Sequence, residues 1–74
     1  MTSMVTDDKS FLEAMIPHHT EAINTSKMIV QSTADPEIKA FATKVIADQS
    51  KEVEMMKTWY KTLTEVDYKD SGMY

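Results

Sequence analysis

Seventy-four residues make one domain at most, and the absence of cysteine removes disulfides and thiolate metal sites. A core this small calls for a metal or a partner chain. Eight basic and twelve acidic side chains leave a net charge of -4, with no basic patch, which argues against nucleic-acid binding. No apolar run approaches the roughly 20 residues of a membrane span, and no basic-then-apolar secretion signal opens the chain.

One glycine, Gly72, and two prolines, Pro17 and Pro36, punctuate the sequence. So few breakers predict an all-α fold. Helix 1 is expected over about residues 7–33, on an apolar stripe that runs from Phe11, Leu12, Met15 and Ile16 to Ile29 and Val30 at helical period. Ser10 and Glu13 have the spacing of a capping box. Pro17 then lies inside the helix, where it removes a hydrogen bond and predicts a kink rather than a break. The next two residues are the only histidines, His18 and His19. His19 falls near the middle of the apolar stripe and His18 at its edge.

The turn is expected at residues 34–36: Asp35 can cap, Pro36 suits the first helical position, and Glu37 favours a helix N-terminus. Helix 2 is expected over about 36–66. Its stripe includes Ile38, Phe41, Val45, Val53, Met56, Trp59 and Leu63, with Gln49 inside it, Glu52 near one border and Met55 just outside. The tail from Asp67 to Tyr74 reads as frayed or loosely docked. Residues 1–74 thus form a single helical domain.

A short turn forces the helices antiparallel. Met15 then lies level with Met55, His18 with Glu52, and His19 near Gln49, Glu52 and Val53. One layer can gather Met15, His18, His19, Gln49, Glu52, Met55 and Met56. Imidazole suits zinc, copper, iron and nickel, whereas thioethers select soft ions, above all Cu(I). A His/Met set without thiolate points to copper before zinc. Two other readings stand beside this. The seven methionines can be gap-filling core residues, and a histidine on a helix face can be a buried residue hydrogen-bonded to Glu52. Enzyme motifs are lacking: no Glu-x-x-His or His-x-x-x-His pair, no phosphate-cradling glycine loop and no nucleophile elbow.

The segments Phe11-Leu12-x-x-Met15-Ile16-Pro17-His18-His19-x-x-Ala22-Ile23 and Gln49-x-x-Glu52-Val53-x-x-Met56-x-x-Trp59 resemble the two hallmarks of the DUF305 family, a bacterial ferritin-like helical-bundle group. The resemblance covers about residues 11–59. It implies a helical hairpin or four-helix bundle. It also implies copper or silver binding through Met and His in several members, and a secreted, periplasmic or membrane-anchored setting for many. Family members often carry a methionine where this chain has Thr25, and often a longer, duplicated bundle. The loss of that thioether weakens the copper expectation.

Two functions follow. The first is a non-catalytic metal-binding module, with copper ligated by Met15, His18, His19 and Met56, and with Gln49, Glu52 and Met55 as orienting groups or weak ligands. The second is a structural or assembly module whose polar layer fixes bundle register without metal; a His19–Glu52 hydrogen bond favours it. Both expect self-association. The stripes are wider than the seam one partner helix covers, so two hairpins would close a four-helix bundle as a homodimer or higher homo-oligomer.

Overall fold

The computed structural model describes residues 7–69. Two helices, α1 (Asp8–Ser32) and α2 (Pro36–Thr64), pack along each other as a hairpin, with Thr33 to Asp35 between them. No strand occurs among the described residues. No helix among them is long and apolar enough to cross a membrane.

The start of α1 corrects the capping box. Asp7, in extended conformation, accepts from the Ser10 backbone N–H at 2.7 Å. Ser10 is therefore the third helical residue, not the cap. Asp7 precedes it by three, the spacing at which a cap carboxylate reaches an orphan N–H. Glu13 is left free to face α2. The helix then runs unbroken through Pro17 to Ser32. At the turn the chain closes on itself economically. Thr33 N–H donates to the Ile29 carbonyl at 2.8 Å, Asp35 N–H donates to Thr33 Oγ1 at 3.1 Å, and Asp35 Oδ1 accepts from Glu37 N–H at 2.8 Å. Pro36 lies at the first helical position, where its missing N–H costs nothing. Helix α2 ends at Glu65, the one described residue with positive φ (62°), whose N–H donates to the Lys61 carbonyl.

The core is small. Ile16 is completely buried, with Leu12, Ile23, Val53 and Met56 around it. Each such side chain contributes roughly 1.5–3 kcal/mol by leaving water. Ala42 and, unexpectedly, Ser26 are the remaining buried residues among those described. Much of both stripes stays outside: Phe11, Ile29, Ile38, Phe41, Trp59 and Leu63 are exposed.

Two residues at the start of the tail contact α2. Tyr68 packs edge-to-face on Tyr60, with centroids 5.3 Å apart, and joins the core margin. Asp67 accepts from Lys61 Nζ at 3.0 Å. The expectations for Asp70 to Tyr74, and for Met1, Met4 and Met73, lie outside the described residues.

Candidate metal centre

His19 stands on the α2-facing side of α1, half a turn past Pro17, and its side chain is 12% exposed. Its Nε2 lies 2.7 Å from Glu52 Oε1, across the hairpin. In a neutral ring, Nε2 donates to the carboxylate and Nδ1 keeps its lone pair. That Nδ1 is buried and has no hydrogen-bond partner, and the same holds for Gln49 Oε1. A buried polar atom without a partner carries a desolvation cost of about 1–3 kcal/mol, so each marks a place where a ligand would be welcome.

Beside His19 runs a groove of about 440 Å³, lined by Met15, His19, Glu52, Met55 and Met56, with Phe11 and Trp59 as its walls. The hairpin therefore brings five of the seven expected site residues to one groove. The thioethers differ in access: Met56 is 5% exposed, Met55 45%, and Met15 half-buried.

The other two stand apart. His18 is exposed and does not line the groove; its ring centroid is 6.4 Å from that of His19, with the planes tilted by 59°. Successive helical side chains diverge by about 100°, so α1 aims only one histidine at the groove. Gln49 is half-buried one turn before Val53 and is absent from the lining. Met28 and Thr25 are both exposed.

Among the described residues, no three His, Asp or Glu side chains converge as a group able to hold a metal ion. An ion here would have to draw on thioether sulfur. That donor set suits a soft ion such as Cu(I) and is a poor fit for magnesium or calcium.

Periodicity did not single out two features. Tyr60 donates to Glu13 Oε2 at 3.1 Å, and Lys9 Nζ lies 3.0 Å from the same oxygen. The Tyr60 contact ties α2 to α1, and Lys9 reinforces it from within α1. The Lys9 hydrogen bond, then that of Tyr60, holds the Glu13 carboxyl below the usual carboxylate range. Phe11 and Trp59 stand in the stripes and in the hallmark segments, with no place at the site expected for either. Their shared level across the hairpin was the signal that they wall the site.

Residues 8–73 match the DUF305 family, described as a domain of unknown function. An uncharacterized protein of Acanthamoeba polyphaga mimivirus is 49% identical over 55 residues, which cover 74% of this chain and 36% of that protein. Among solved structures, CopM in a silver-bound form obtained by soaking superposes with a TM-score of 0.84 at 38% identity, over 93% of this chain and 51% of CopM. CopM in the Cu(I)-bound form gives 0.83 at 38% identity, over 93% of this chain and 50% of CopM. The Cu(II)-bound form gives 0.76 at 42% identity, over 81% and 45%. The chain thus spans about half the length of the CopM chains and about a third of the mimivirus relative.

Proposed function

This chain belongs to the DUF305 family, and from that premise we propose that it is a non-catalytic metal-binding helical module for copper, taken as Cu(I). The observation that carries the reading is the His19 imidazole. Glu52 orients it through Nε2, which leaves a buried, unpartnered Nδ1 beside a groove lined by three methionines. A carboxylate behind a ligating histidine fixes its tautomer and raises its basicity. Met15, His19 and Met56 are the ligands offered within one hairpin, and His18 is a further ligand from the adjacent face. Glu52 and Gln49 orient, and Met55 is a weaker thioether at the rim. When bound, the ion is cargo or a structural clasp held by soft donors. The CopM forms with copper and silver, at 38% identity to this chain, support the same chemistry. The protein works as a homo-oligomer that completes a helical bundle.

Titration of the metal-free protein with Cu(I) against a chromophoric competitor tests this. Saturable binding is expected, weakened at least tenfold by Met15→Leu with Met56→Leu, substitutions that conserve volume. Absence of saturable binding, or unchanged binding in a His18→Ala/His19→Ala variant, refutes it.

One observation favours a second reading. The His19–Glu52 hydrogen bond already satisfies one imidazole nitrogen across the two helices, as a register-fixing polar layer requires. A chain that binds no Cu(I), yet loses its oligomeric state on His19→Leu, would be such an assembly module.

A further inference from the structure

Each thioether of the groove has an aromatic ring one helical turn away. On α1, Met15 follows Phe11 by four residues; on α2, Trp59 follows Met55 by four and Met56 by three. These are the spacings at which side chains on one helix are neighbours. All five residues line the same groove.

The two rings are not equivalent. A helical side chain leans toward the N-terminus of its helix and covers the turn before its own Cα. Trp59 is therefore placed over Met55 and Met56, on the sulfur side of the groove. Phe11 leans toward Asp7 and Asp8, away from Met15. A second groove, of about 350 Å³, agrees with that direction for Phe11. It is lined by Asp8, Phe11, Leu12, Trp59, Thr62 and Leu63, with no thioether or imidazole among them.

Packing alone is a poor account of this placement. Sulfur–aromatic contacts stabilise buried cores, but Met55 and Trp59 are 45% and 52% exposed, so their contact removes little surface from water. The charge balance of the site gives a better reason. Thioethers and a neutral imidazole are uncharged donors. Glu52, the one carboxylate in the lining, is already engaged with His19. A cation held there keeps most of its positive charge in an apolar groove. The face of an aromatic ring is the negative part of its quadrupole, and indole is the best such partner for a cation.

We propose that Trp59 is itself a contact residue for the ion: its indole face offers a cation–π contact to a soft, singly charged ion held by the thioethers and His19. The inference rests on the copper reading and adds selectivity to it. Stripping water from an ion costs more as the square of its charge, as in Born solvation. Cu(I) and Ag(I) can therefore exchange hydration for sulfur and an indole face, whereas a doubly charged ion such as Zn(II) loses too much. Imidazole alone would not make that distinction, since it suits zinc as well as copper.

The test uses the full metal-free chain, with Ag(I) as the probe and Zn(II) as the comparison. Trp59 is the only tryptophan, so indole absorption and emission report this position alone. Ag(I), counted on the protein by native mass spectrometry, should quench the emission and shift the indole absorption bands; Zn(II) should do neither. Quenching also acts at a distance, so affinity decides. Trp59→Phe keeps a weaker π face, and Trp59→Leu keeps only apolar bulk. Against a chromophoric competitor, Ag(I) affinity should fall in the order Trp, Phe, Leu, with a loss of about tenfold in Trp59→Leu. Both variants should keep native helicity by circular dichroism, because the side chain is half exposed. If Trp59→Leu does not, the indole bands and the Trp59→Phe affinity still decide. Ag(I) bound with the indole bands unmoved, or bound as tightly by Trp59→Leu as by the native chain, overturns this inference and leaves the copper reading standing. A shift with Zn(II) equal to that with Ag(I) overturns the selectivity. A chain that takes up neither Ag(I) nor Cu(I) overturns both readings.

Discussion

Met55 and Met56 are neighbours with opposite energetic roles. Met56 is packed among Leu12, Ile16 and Val53, while Met55 sits at the groove rim. Met56→Ala should cost about 2–5 kcal/mol, since it leaves a cavity. Met55→Ala should cost less than about 0.5 kcal/mol in dilute, monomeric protein; urea unfolding measures both. A similar contrast holds for Glu52, whose carboxylate is half-exposed. Its hydrogen bond with His19 is worth only about 0.5–3 kcal/mol for stability, yet Glu52→Gln should lower Cu(I) affinity on the order of 10–100-fold by loosening the imidazole. Equal affinity in that variant would remove Glu52 from the site. Glu13 gives the pH response. Its carboxyl is held below the usual range by Lys9 and Tyr60, so the folded state binds its proton less tightly than the unfolded one. Its contribution is present above the ordinary carboxylate range, near about pH 4.3, and is lost as pH falls through the depressed folded value. Thermal unfolding followed from pH 6 down to 3 should show this decline, and Glu13→Gln should flatten it.

At the level of the helices, α2 depends on its cap. Asp35 satisfies two orphan N–H groups, those of Glu37 and Ile38, and Asp35→Ala should cost about 0.5–2 kcal/mol. A loss below the fitting error of chemical denaturation would mean that the turn holds without it. The Asp35-Pro36 junction was legible in the sequence because cap and proline act locally, within three residues. The start of α1 lies where the periodicity puts it, but its cap was not legible: Ser10 and Asp7 both offer a cap at the right spacing, and local chemistry does not rank them. The antiparallel register was legible as well, and it brought Met15, His19, Glu52, Met55 and Met56 to one level. The split between the two histidines, and between buried Ser26 and exposed Phe41, was not. A broad stripe read by hydrophobicity does not say which of its residues meet the partner helix, and only packing tells.

For the molecule as a whole, thermal stability should depend on concentration. If association is confined to the folded state, the unfolding midpoint must rise with protein concentration. Calorimetry over a hundredfold range would show it, and an unchanged midpoint would leave the hairpin stable on its own. The placement of the core has another consequence. Leu12, Ile16, Val53 and Met56 lie toward the end where the chain enters and leaves, whereas Ser26 and Ala42 alone are buried near the turn. The turn can close early, because its ends are near in sequence, but it gains little by doing so. The rewarding contacts join residues some forty positions apart, and loop-closure entropy must be met before they form. Zipping from the turn is therefore uphill until Ile23 reaches its neighbours. The same asymmetry should persist in the native state as a gradient of amide protection, slowest to exchange around Ile16 and Val53 and fastest from Val30 to Phe41. The apparent hinge of the hairpin is its least secured part, and the opposite end is its anchor.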